Sequence, residues 1–201
     1  MRQAEQQVAN RYYDRHFQME AVKVLPGEYF ATRQPLLLTT LLGSCVAACL
    51  MDRQAGVYGM NHFLLPQGTD MGGSLGVSAR FGVHAMELLI TDMQKLGAQR
   101  HRLEAKVFGA GNVLDGMSVV NIGERNTLFV RDYLRGENIP IVAEDLLGDC
   151  ARKVFFFPDG GKVLVKKLKK TKVLLEKEQA YSRRLDRETA SQPGGDIDLF
   201  V

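Results

Sequence analysis

The span from Pro35 to Pro66 most limits what this chain can fold into. Two apolar runs, "PLLLTTLLGSCVAACLMD" and "GVYGMNHFLLP", lie on either side of a short polar break, and the first is interrupted only at Gly43. Short apolar and β-branched runs bounded by Gly and Pro read as strands joined by turns. "KVLPGEYFAT" at 23–32, punctuated by Pro26-Gly27, reads the same way.

Further along, Val83, Met86, Ile90 and Met93 recur at spacings of three and four, which predicts a helix from about Ser78 to Leu96 ended by Gly97. Before it, "QGTDMGGSLG" at 67–76 reads as a glycine-rich loop of the kind that often covers sites. "KVFGAGNV" reads as a strand entering a glycine turn. "NTLFVRDYLRGENIPIVAED" reads as a helix capped by Asn126, stopped near Gly136 and followed by a strand. "KVFFFPDGGKVLVKKL" reads as a hairpin about Asp159-Gly160. The expected organisation is a polar N-terminal extension over 1–22, able to form a helix, then one globular domain over 23–177 and a flexible tail over 178–201. That tail ends in "PGGDIDLFV" at 193–201, an apolar end that either docks on the protein's own sheet or adds as a strand to a partner.

Charge and composition remove several function classes. A net charge of +3, from 26 Lys and Arg against 23 Asp and Glu, does not call for nucleic acid. The run "KKLKKTK" at 166–172 has no interleaved aromatics and reads as the solvated face of an edge strand, where lysines discourage edge pairing. No apolar run approaches the roughly 18 residues of a membrane span, and the N-terminus has no signal-peptide core. A cytoplasmic protein without membrane insertion is expected. The 3 cysteines do not make a disulfide framework and suit a reducing compartment.

Few residues remain for chemistry. Of the 4 histidines, His16 and His101 lie in polar segments and His84 on a helix flank, whereas His62 ends an apolar run. Cys150 follows a turn with no neighbouring partner. Cys45 and Cys49 stand four apart in one strand, about 13 Å at about 3.3 Å per residue, too far for a disulfide. No second ligand pair supports structural zinc, and Cys49 reads as a small core residue. Cys45 differs because Gly43 permits a bend that presents a side chain beside main-chain N–H groups, and a returning strand could bring His62 opposite it. From these features alone, a thiol–imidazole pair and two ordinary core residues both remain open.

"LGSC" followed by "NHFLLP", with "LPGEYFAT" upstream and "NIGERN" and "IVAEDLLGDCARKVFFFPDGGKVLV" downstream, strongly resembles the CheD family of bacterial chemoreceptor glutamine deamidases over about Lys23 to Lys167. The resemblance implies an α/β layered sandwich of mixed or antiparallel sheet with flanking helices, of the cysteine-hydrolase deamidase type. It implies a protein-glutamine glutaminase that converts receptor glutamines to glutamate with loss of ammonia and needs no metal or cofactor. The family's cysteine falls on Cys45, its histidine on His62 and its threonine, six positions before the cysteine, on Thr39; adjacent Thr40 points to the opposite strand face, so only one threonine can serve. Oxyanion donors are expected among the main-chain N–H groups from Gly43 to Cys45, with Gly43 and Ser44 as the leading candidates. Implied partners are methyl-accepting chemotaxis receptors and a CheC-type phosphatase. A non-catalytic adaptor for receptors or phosphatase is the alternative from a different class, and a thiol sensor built on Cys45 and Cys49 is a third.

Overall fold

The long apolar runs become the central strands of two stacked sheets. The computed structural model describes residues 10–65, 77–112, 122–168 and 180–187. Strands β1 (Arg11–Asp14), β2 (Met19–Lys23), β3 (Tyr29–Thr32), β4 (Leu37–Leu42), β5 (Val46–Asp52) and β6 (Val57–Asn61) precede helix α1 (Val77–Lys95). Strand β7 (Glu104–Gly109), helix α2 (Ile122–Gly136) and strands β8 (Ile141–Leu146), β9 (Ala151–Phe156) and β10 (Val163–Leu168) follow, and 180–187 form a short third helix. One sheet runs β1-β2-β4-β9-β10 and the other β3-β6-β5-β7-β8. Each is mixed, with one parallel pair, β2 with β4 and β7 with β8. The layered α/β sandwich expected above is the fold observed.

Period-2 alternation with cover on both faces explains why "VAACLM" is apolar throughout. Along β5, Ala47 and Cys49 face the first sheet and pack with Leu38, Leu42, Val154 and Phe156. Val46, Ala48 and Leu50 face the helices and pack with Met86, Ile90, Met93, Val130 and Leu134. A strand covered on both faces has no polar side to show. The first helix matches its expected span, with Met86, Ile90 and Met93 buried; Leu89 joins them, whereas Val83 is only half-buried. The lysines at 166 and 167 lie exposed on β10, an edge strand, and the rest of that basic run lies outside the described residues.

Three expectations change. Residues 11–23 form the β1–β2 hairpin of the first sheet rather than a polar extension. Its turn is held by the Asp14 carboxylate, which accepts the N–H groups of His16 and Phe17, and its exposed outer strand explains the polar composition. The helix expected to be capped by Asn126 starts at Ile122, leaving Asn126 inside it. Within the expected flexible tail, 180–187 are helical, and Tyr181 and Leu185 are buried against the inter-sheet core. The loop at 67–76 and the end at 193–201 lie outside the described residues.

Candidate active site

The register of β5 against β6 decides where Cys45 and His62 meet. Cys49 pairs with Met60, and beyond the strand ends Val46 bridges Phe63 through two backbone bonds of 2.9 Å. The same register sets Cys45 opposite Leu64 and Ala47 opposite His62. Cys45 and His62 are thus diagonal neighbours on one sheet face, a relation that spans about 7–8 Å between Cα atoms. That face looks into the space between the sheets, and both residues are buried, Cys45 at 0% and His62 at 2% exposure. The other three histidines are exposed.

Three consecutive carbonyls fix the bend before β5. Gly43 O accepts from Gly111 N–H at 2.6 Å, Ser44 O from the Asn126 carboxamide at 2.9 Å, and Cys45 O from Ala110 N–H at 2.7 Å. The "FGAG" turn can approach this closely only because Gly109 and Gly111 lack a Cβ. A Cβ at Gly109, whose φ is 113°, would lie 2.2 Å from Cys45 O, and one at Gly111 would lie 2.6 Å from Cys150 O. Gly43 and Ser44, expected beside the oxyanion hole, thus belong to a bend whose carbonyls are taken up by Gly111 and Asn126.

The His62 ring is held at one nitrogen only. Thr40 Oγ lies 2.8 Å from Nδ1 and 2.7 Å from the Val24 carbonyl. A carbonyl only accepts, so the single hydroxyl hydrogen goes to Val24, and Oγ accepts from Nδ1–H. This assigns the lone pair to Nε2, which has no hydrogen-bond partner among the described residues. Burial pushes the imidazole pKa down to about 4, so the ring is neutral at pH 7. A small cavity of about 60 Å³ borders His62 between Gly27, Phe81 and Tyr181. It exceeds the room a single water requires.

Family register points to Thr39, whereas the hydroxyl that reaches the His62 ring belongs to Thr40. On β4, Thr39 shares the outward face with Leu37, which packs with Ala21 and Phe155 on the far side of the first sheet. Its hydroxyl meets the Tyr12 phenol and its carbonyl accepts Val24 N–H at 2.8 Å. Thr40, one residue on, faces His62. Cys49 lies deeper on the same face as Cys45, and burial raises its thiol pKa far above neutral, so it stays protonated. Among the described residues no cluster of three or more His, Cys, Asp or Glu could hold a metal.

Two buried asparagines complete the surroundings. Asn61 Oδ1 accepts Ala48 N–H, and its Nδ2 donates to the Ala85 carbonyl, tying β5 and β6 to α1 beside His62. Asn126 joins Ser44 to Leu65 from α2. In the sequence Asn61 carries no expected role and Asn126 reads as a cap, although each belongs to a short polar insertion in an otherwise apolar face, "NH" and "NIGERN".

Comparison with known proteins reaches the same region. The family model described as CheD chemotactic sensory transduction matches residues 64–167, just over half of the chain. The candidate pair precedes that span, and relatives matched along the whole chain cover it. The probable chemoreceptor glutamine deamidase CheD 2 of Chromobacterium violaceum is 63% identical over 202 residues, covering 100% of both chains. The probable chemoreceptor glutamine deamidase CheD of Thiobacillus denitrificans is 54% identical, covering 98% of this chain and 97% of its own. Among solved structures, a hypothetical protein YfiH of Bacillus licheniformis aligns with a TM-score of 0.41 and 13% identity over 60% of this chain and 51% of its own, a likeness too slight to bear on the site. By both the family model and these full-length relatives, this chain belongs to the CheD family.

Proposed function

We propose that this protein is a protein-glutamine glutaminase that converts glutamine side chains of methyl-accepting chemotaxis receptors to glutamate and releases ammonia. The observation that carries this reading is the neutral, one-sidedly held His62, whose Nε2 lone pair lies on the same sheet face as Cys45. Family membership supports the substrate class, since the relatives' names specify chemoreceptor glutamine.

In the proposed cycle, His62 Nε2 takes the Cys45 proton and the thiolate sulfur attacks the carboxamide carbon. The carbonyl π pair moves to oxygen, giving a tetrahedral oxyanion. Nε2–H then protonates the departing nitrogen, the C–N bond breaks, and ammonia leaves a thioester. Water, deprotonated by Nε2, attacks the thioester, the C–S bond breaks, and the carboxylate is released with the thiol restored. Thr40 holds the ring but carries no charge to stabilise the imidazolium, which a carboxylate orienter would do. A slow enzyme follows from that difference.

Mass spectrometry of receptor peptides incubated with the protein tests the reaction. The expected product is about one dalton heavier at glutamine, the mass of O replacing NH. Unchanged peptides and no ammonia would leave the adaptor reading, in which the protein binds receptors or a CheC-type phosphatase without turnover. A CheC-type phosphatase is proposed as the regulatory partner, tested by co-purification of the two proteins. Cytoplasmic residence is part of the same reading; among the described residues no helix is long and apolar enough to cross a membrane.

The threonine assignment yields its own outcome. Thr40→Ala frees the His62 ring and its tautomer and should lower kcat by roughly 10- to 100-fold, within the range of a lost second-sphere partner. Thr39→Ala should leave kcat within about 3-fold of wild type, since only Tyr12 loses a partner. Ammonia release measured side by side decides it, and the reverse order would return the role to Thr39.

A further inference from the structure

Asn126 is an uneconomical choice for its position. It lies in the fifth position of α2, past the point where a cap is useful, and is 0% exposed. Asparagine is a poor helix former, and burying its carboxamide is costly unless every polar atom is matched. Here the matching is complete and its direction is forced. Leu65 N–H must find an acceptor and meets Oδ1 at 3.0 Å; the Ser44 carbonyl must find a donor and meets Nδ2 at 2.9 Å. One side chain thus joins the residue just before Cys45 to a residue three beyond His62.

Its orientation has a chemical consequence. Helix α2 packs on the outer face of its sheet, through Val130 and Leu134 against Val46, Ala48 and Leu50. Cys45 instead packs into the inter-sheet space. In a trans peptide the carbonyl and the following N–H point in opposite directions. A Ser44 carbonyl drawn toward α2 turns the Cys45 N–H the other way, toward the space that holds the thiol and the imidazole. We propose that Asn126 is a positioning residue that sets the Ser44–Cys45 peptide so that the Cys45 N–H donates to the oxyanion, an inference that rests on the deamidase reading.

Asn126→Asp tests this with almost no change of shape. One carboxylate oxygen still accepts Leu65 N–H, while the other, when ionised, faces the Ser44 carbonyl with no hydrogen to offer. On a glutamine-containing receptor peptide at pH 8, kcat should fall about 100-fold, the usual cost of one oxyanion donor, with KM within about 3-fold. Alkylation of Cys45 by iodoacetamide forms no carbonyl oxyanion, so its rate should stay within about 3-fold. Lowering the pH to 5.5 protonates the buried carboxyl and restores a donor, so the variant's kcat relative to wild type should rise. Asn126→Ala should show the same loss without that recovery.

A second readout does not require amide turnover. A short aliphatic aldehyde adds to Cys45: sulfur bonds to the carbonyl carbon, the oxygen takes the π pair as an oxyanion, and the thiol's proton passes to His62 Nε2. Its affinity should fall about 100-fold in Asn126→Asp, and in the wild-type protein its addition should move the Cys45 amide proton downfield. A wild type that takes up aldehyde but releases no ammonia would count against the deamidase reading, while the aldehyde ratio would still decide the role of Asn126. Wild-type kcat and aldehyde affinity in Asn126→Asp would overturn the proposal. So would parallel losses of turnover, alkylation rate and Tm without recovery at low pH, which mark a purely structural role. Should neither variant fold, an unmoved Cys45 amide proton in wild type would overturn it alone.

Discussion

Cys45→Ala is expected to reduce ammonia release from receptor peptides to background, a loss of roughly 10⁴-fold or more, while receptor binding persists. The size follows from the role: without the sulfur no thioester forms, and the oxyanion donors and His62 are left acting on water alone. The neighbouring thiol cannot stand in. Cys49 is four residues away along the strand, 1% exposed, and held protonated by burial. The structural cost should be small, because the change removes one sulfur from a site that is otherwise apolar, with Leu42, Ala47 and Leu64 in the same cluster. A decrease of about 1–2 kcal/mol in unfolding free energy is the expected order, so Tm should drop by only a few degrees. Peptide mass spectrometry together with thermal unfolding checks both halves. Full turnover by the variant would remove Cys45 from the chemistry, and binding unchanged with no ammonia released by either protein would favour the adaptor. A thiol sensor would show peroxide-dependent modification at Cys45 and no amide turnover in the wild type.

How far this site could be read from sequence depended on which physical signal each residue carried. That Cys45 and His62 could meet on one sheet face was legible because cysteine and histidine are scarce, because Gly43 marks a bend, and because both lie on runs with clear strand character. Thr39 against Thr40 was not. Period 2 assigns them to opposite faces, but which face looks at His62 depends on β4 lying between β2 and β9, a pairing between distant segments. Asn126 was misread for a related reason. Local propensity makes an asparagine at the head of an apolar-periodic run a cap, whereas its two partners, Ser44 and Leu65, lie 82 and 61 residues away. The β1–β2 hairpin escaped notice because an edge strand with three exposed residues has the composition of a solvated segment. The short helix at 180–187 escaped because two apolar anchors, Tyr181 and Leu185, are too few to show a period. What the sequence withheld was tertiary pairing. The central strands, buried on both faces, declared themselves.

His62→Ala should be as inactive as Cys45→Ala at neutral pH, because the imidazole serves as base in one half of the cycle and acid in the other. Each assisted proton transfer contributes on the order of 10²–10⁴-fold. The substitution also has a stability signature that a merely structural histidine on the surface would lack. In the folded protein burial holds the His62 pKa at about 4, against an ordinary value of 6.5. The folded value is the lower one, so below pH 6.5 the unfolded chain binds a proton that the folded chain refuses. Wild-type stability is therefore unaffected by this group above pH 6.5 and declines as pH falls toward 4. At about 1.4 kcal/mol per unit, the decline should reach about 2 kcal/mol at pH 5 and about 3 kcal/mol near pH 4. His62→Ala has nothing to protonate and escapes that decline. At pH 7.5 the variant should be the less stable protein, since it leaves a cavity beside Thr40 and Leu64; on acidification the gap should close by those amounts. Urea unfolding of both proteins at pH 7.5, 6 and 5 reads the gap directly. A gap that stayed constant would mean that His62 is not a buried neutral base, and the mechanism would lose its proton acceptor.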